Sequence, residues 1–151
     1  MNDRPVFVIG NDGEELDMVK EIWQELSFRN SLEVFSSTEK FLGRMIEGNV
    51  NPFLIISDIN LDKIDGFILR QKLCADLELS YKGIPFVFWS TTASNEQIKV
   101  AYDSGGHGFF LKGFTYQEMK KSLTIIMSYW NKAKVPDLPN QFRNRQHLRN
   151  I

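Results

Sequence analysis

One cysteine, Cys74, stands alone in 151 residues, so no internal disulfide and no cysteine-rich zinc site can form. Its neighbours Leu73 and Ala75 suggest a buried helical position, with a reactive thiol as the alternative. Histidine is nearly as scarce: His107 and His147 lie far apart without nearby cysteine or acidic clusters, which argues against a histidine metal site. No apolar run approaches bilayer-spanning length, and Met1 to Pro5 lacks the basic and apolar parts of a signal peptide. A cytoplasmic protein with no membrane partner is expected. Hydrophobic residues make up 42% and charged residues 25%, which excludes disordered and fibrous classes.

The net charge of −1 conceals an asymmetry. Residues 132–151 carry Lys132, Lys134, Arg143, Arg145 and Arg149 against Asp137, a balance of +4, which leaves −5 on residues 1–131. This basic stretch lacks aromatic interleaving beyond Phe142, so no nucleic-acid partner is expected and a solvated, flexible tail is the preferred reading.

Apolar strands alternate with amphipathic helices along the rest of the chain. Val6 to Ile9 is a short continuous apolar run, as suits a strand buried on both faces, and Leu16, Val19, Trp23 and Leu26 follow at helical spacing. Acids Glu14, Glu15 and Asp17 fall in that helix's first turn, where the dipole favours them. Ser31 to Phe35, Phe53 to Ser57, Ile84 to Trp89 and Gly108 to Leu111 read as four further strands. Helices open at Ser36 with Glu39, at Gly66 (running to Leu79), at Ser94 with Gln97, and at Thr115 with Glu118. Tyr129 and Trp130 adjoin at the end of the last helix, so only one can lie centrally on its buried stripe. Five strands and five helices predict an α/β, flavodoxin-like doubly wound parallel sheet of order 2-1-3-4-5. Pro136 and Pro139 then break the pattern, giving a domain over 1–134 and a tail over 135–151.

In such sheets chemistry gathers beyond the carboxyl ends of the strands, near the switch point between the first and third. The residues there are Gly10, Asn11 and Asp12, then Asp58, then Ser90 and Thr91, then Lys112. Singly, each has a plain structural use: Asp58 as a turn cap, Ser90 bonding loop amides, Lys112 as a paired surface charge.

Together they resemble the response-regulator receiver family, of the stand-alone CheY-like kind. The segment Asp58-Ile59-Asn60-Leu61-Asp62-Lys63-Ile64-Asp65-Gly66 is similar to its phosphoacceptor strand and loop. Pro85 to Thr91 resembles its fourth strand and Gly108-Phe109-Phe110-Leu111-Lys112 its fifth, the likeness covering about residues 5–131. The resemblance implies a two-component or phosphorelay signalling domain rather than an enzyme, though one capable of self-catalysed phosphotransfer and dephosphorylation. Asp58 would be the phosphoacceptor, fed by a histidine kinase or phosphotransfer protein. Lys112 and Ser90 would contact phosphoryl oxygens, and Ser90 and Phe109 would act as the switch pair. Mg2+ would be held by Asp12, Asp58 and the Asn60 carbonyl, with Asn11 a weak ligand.

Four positions depart from the family's pattern. Gly10 and Asn11 stand where it places two acids, so weak Mg2+ binding is expected, because this hard cation prefers carboxylate oxygens. Gly113 replaces a proline after Lys112, and a cis bond before a non-proline residue costs roughly 2.5–4 kcal/mol, which predicts a trans peptide and a reshaped loop. Asp62 replaces another proline and is expected to face water. Phe109 lacks a hydroxyl, which predicts a mainly buried ring. A homodimer through the fourth helix, fifth strand and fifth helix is the expected output. Two other readings are a phosphorylation-independent pseudo-receiver that binds partners, and a small flavin-binding flavodoxin-like protein.

Overall fold

The computed structural model describes residues 3–47, 51–75, 83–136 and 146–151. Five strands, β1 (Val6–Ile9), β2 (Leu32–Phe35), β3 (Leu54–Ser57), β4 (Phe86–Ser90) and β5 (Gly108–Leu111), form one parallel sheet of order β2-β1-β3-β4-β5. Between and after them run α1 (Gly13–Leu26), α2 (Thr38–Ile46), α3 (Gly66–Cys74), α4 (Asn95–Asp103) and α5 (Tyr116–Lys132). β4 starts two residues later than its apolar run and takes in Ser90, since Ile84 and Pro85 precede the ladder. The expected end of α3, including Leu77, lies outside the described residues.

Alternating side chains sort the core into two layers. Phe7, Ile9, Ile55, Phe86 and Phe88 point to one face, where they pack on Phe41, Leu42 and Met45 of α2, Leu69 and Leu73 of α3, and Ala101 of α4. Val6, Val8, Leu54, Ile56, Val87 and Trp89 point to the other, against Leu16, Val19, Ile22 and Trp23 of α1 and Met119, Leu123, Ile126, Met127 and Trp130 of α5. The helix caps are largely those the sequence suggests: Ser94 and Gln97 make a reciprocal capping box and Thr115 caps α5. For α2 the cap is Ser37, one residue beyond the expected Ser36, because Ser37 accepts from the Lys40 amide. Trp130 is buried and its neighbour Tyr129 is 59% exposed, as their adjacency requires. Cys74 is half-buried rather than a full core residue.

One expectation fails at the far end of the chain. Gln146–Asn150 form a 3-10 helix against α2, and Leu148 is fully buried in the cluster that holds Phe41, Leu42 and Met45. Apolar Leu148 and Ile151 outweigh the charge of Arg149 that suggested a solvated tail. Residues 137–145 lie outside the described residues. No described helix is long and apolar enough to cross a membrane.

Candidate functional site

β1 hands over to α1 on one face of the sheet, while β3 hands over to α3 on the other, and the divergence opens a crevice at their carboxyl ends. The Asp58 amide donates to the Ile9 carbonyl at 2.9 Å, which continues the β1–β3 ladder one residue past β3 and fixes Asp58 at the rim. Its Oδ1 accepts from the Asn60 amide at 3.2 Å, and its backbone carbonyl accepts from Ser57 Oγ at 2.8 Å. Gly66 is required below it, since a Cβ there would run into the Asp58 carbonyl oxygen.

Lys112 arrives from β5. Its amide donates to the Ser90 carbonyl at 2.8 Å, and its Nζ donates to Asp58 Oδ2 at 2.6 Å. The ends of β3, β4 and β5 therefore meet, and Ser90 is buried as the last residue of β4. The lysine side chain is only 5% exposed and that of Asp58 15%, so this ion pair is removed from most of the water that would screen it. The ammonium also lies 5.3 Å over the Trp89 ring. The Lys112–Gly113 peptide is trans, and Gly113 takes a left-handed φ of 78° to turn the chain into Phe114.

Glu15 completes the cluster, and the sequence reading did not assign it a role there. Lys112 Nζ donates to Glu15 Oε1 at 2.7 Å, a contact across 97 positions of chain. Asp12, expected at the metal, also caps α1: its Oδ1 accepts from the Glu14 and Glu15 amides at 3.0 and 3.3 Å. The capping geometry carries the missed signal. A cap at Asp12 puts Glu15 in the first turn, and helical side chains lean toward the N-terminus, back over the sheet edge.

Of the expected metal ligands, Asp12 and Asp58 bring carboxylates to this edge, but one oxygen of each is already engaged, by the α1 amides and by Lys112. Gly10 has no side chain, and exposed Asn11 is neutral. Among the described residues no three acidic, cysteine or histidine side chains group closely enough to hold a metal ion. Asp62 is exposed, yet it does more than face water. Its Oδ1 accepts from the Thr38 amide at 2.9 Å, a bond that holds its carboxyl below the usual carboxylate range. Phe109 is half-buried, its ring 6.5 Å from Phe88, and so is less enclosed than expected.

The chain is similar in sequence to chemotaxis proteins and in fold to solved response regulators. Chemotaxis protein CheY1 of Helicobacter pylori is 22% identical over 81% of this chain and 95% of its own length. Chemotaxis protein CheY of Pseudomonas aeruginosa is 27% identical over 76% of this chain and 88% of its own. Among solved structures, the phosphorylated cyanobacterial phytochrome response regulator RcpA superposes with a TM-score of 0.78 at 19% identity, covering 90% of this chain and 100% of that one. The Mn2+-bound form of response regulator Rcp1 gives 0.75 at 20% identity, covering 89% and 99%. Residues 6–124, which run from β1 through most of α5 and include Asp58, Ser90 and Lys112, match the family model described as the response regulator receiver domain, and the chain belongs to that family.

Proposed function

We propose that the chain is a response regulator that accepts a phosphoryl group on Asp58 from a phosphohistidine of a histidine kinase or phosphotransfer protein. The observation that carries this reading is the 2.6 Å contact between Lys112 Nζ and Asp58 Oδ2 at the mouth of the sheet. An Asp58 carboxylate oxygen attacks phosphorus as the phosphorus–nitrogen bond to the donor histidine breaks. The electron pair leaves with the imidazole nitrogen, and an acyl phosphate forms on Asp58. Lys112 transfers its bond to a phosphoryl oxygen, and Ser90 supplies a hydroxyl donor to another.

Incubation with a small phosphodonor in Mg2+ buffer, followed by intact mass, tests the reading. The expected result is the mass gain of one phosphoryl group, labile to hydroxylamine and lost in Asp58→Asn. No gain, or a gain that survives Asp58→Asn, would sink it.

A second reading, a receiver that binds partners without being phosphorylated, draws on the neutral residues Gly10 and Asn11 and on a lysine already engaged by two carboxylates. An unphosphorylated protein that still binds its kinase would favour it.

Signal output is assigned to α4, β5 and α5. Tyr102, Leu111, Phe114, Ile125 and Tyr129 are exposed on or beside these elements, with Phe114 at 76%, which is unusual for aromatic and aliphatic side chains without a covering partner. A homodimer through this face is the preferred assembly.

A further inference from the structure

Three distant parts of the chain meet at the Lys112 ammonium. It donates to Asp58 Oδ2 at 2.6 Å and to Glu15 Oε1 at 2.7 Å, and little of the lysine side chain reaches water. An ammonium withdrawn from water must replace its lost hydration with bonds and compensating charge. The residues directly after β1 do not provide the second carboxylate. Gly10 and Asn11 have none, and Asp12 is turned to the amides of Glu14 and Glu15. Glu15 provides it because the first turn of α1 opens on the crevice.

We propose that Glu15 is a positioning residue: it anchors Lys112 so that the lysine ammonium, rather than a divalent cation, is the cation seated between Asp58 and α1 in the resting protein. Its use in phosphotransfer rests on Asp58 being the acceptor, as read above. With Glu15 as anchor, Lys112 moves from Asp58 Oδ2 to a phosphoryl oxygen by a short swing and does not have to be recruited from solvent. The same anchor makes Lys112 a resident competitor. A dication gains both carboxylates only by displacing the ammonium from Asp58 and Glu15.

The test uses the full chain carrying fluorotryptophan, with Mn2+ as the probe. In fluorine NMR, Glu15→Gln is expected to shift the Trp89 resonance, because the ammonium over that ring loses its anchor, while Trp23 and Trp130 stay in place. Glu14→Gln, which removes a neighbouring charge from the same helical turn, is expected to move none of the three. By water-proton relaxation, Lys112→Met is expected to tighten Mn2+ binding about tenfold. Adding Glu15→Gln to that variant is expected to abolish the gain; Lys112→Gln reads the same way if the methionine variant does not fold. A Trp89 resonance indifferent to Glu15→Gln, no gain on removing the ammonium, or a gain that survives Glu15→Gln overturns the assignment. Neither readout involves a phosphodonor, so failure to form an acyl phosphate would count against the proposed function alone.

Discussion

Asp58 is held from below as well as from the front. Gly66 packs its Cα against the strand end, and an added methyl group would meet the Asp58 carbonyl oxygen, a backbone atom that cannot rotate away. Gly66→Ala is therefore expected to lower stability by roughly 1–3 kcal/mol in denaturant unfolding, and to slow any phosphorylation of Asp58 by moving its carboxylate. His107 sets a second residue-level condition. Its Nδ1 accepts from the Phe86 amide at 3.0 Å, which only the neutral ring can do. Burial first, and the nearby Arg70 charge second, push its pKa below the ordinary 6.5. With the folded pKa depressed, the stabilisation is complete above the unfolded value and is lost as pH falls through the lower folded value. The stability of the wild type is thus expected to fall more steeply as pH drops below about 6.5 than that of His107→Gln. Equal slopes would mean that the bond to Phe86 does not depend on the ring's charge.

At the level of elements, β4, β5 and α5 are stitched by a relay. Trp89 Nε1 donates to Ser122 Oγ at 2.8 Å, and Ser122 Oγ donates to the Leu111 carbonyl at 2.8 Å. The link fastens the strand that ends in Ser90 to the helix proposed as output face. Ser122→Ala removes the acceptor of the buried indole N–H, and a loss of about 1–3 kcal/mol is expected from denaturant unfolding. Hydrogen exchange would show whether β5 and α5 loosen together. On the opposite side, the loop after Asp58 is tied to α2 through the Asp62 bond to the Thr38 amide and the Lys63–Glu39 pair, the latter exposed and of little energetic weight.

For the whole molecule, the 3-10 helix Gln146–Asn150 adds a cover to α2. Leu148 is fully buried, so Leu148→Ala is expected to cost roughly 2–5 kcal/mol of the docking of this segment. Because the segment sits at the edge of the fold, the expected readout is local. Proteolysis near residue 146 and dye binding to the uncovered face of α2 should rise, while the sheet persists. Assembly is the second whole-molecule question. Sedimentation of the chain with and without a phosphoryl mimic is expected to show a dimer strengthened by the mimic, and Tyr129→Ser, which changes an exposed side chain, is expected to weaken it. An unchanged monomer would leave the α4–β5–α5 face to unlike partners.

The five apolar runs and the helical stripes between them determined the strands, their parallel arrangement and the order 2-1-3-4-5, because burial on both faces and right-handed crossovers leave few alternatives. The same patterns put Asp58, Ser90 and Lys112 at one edge, since strand ends are set by where apolar runs stop. Other features depended on contacts between residues far apart in the chain. Whether Asp12 faces a ligand or caps α1 turns on the exact start of the helix. Which acid reaches Lys112 turns on how α1 tilts over the sheet, and whether Leu148 is solvated turns on an uncovered stripe of α2. Hydrophobic periodicity reports which face of an element is buried. Only the packed tertiary structure decided which charges meet, because a charge such as Glu15 finds its partner 97 positions away only after those faces have been buried.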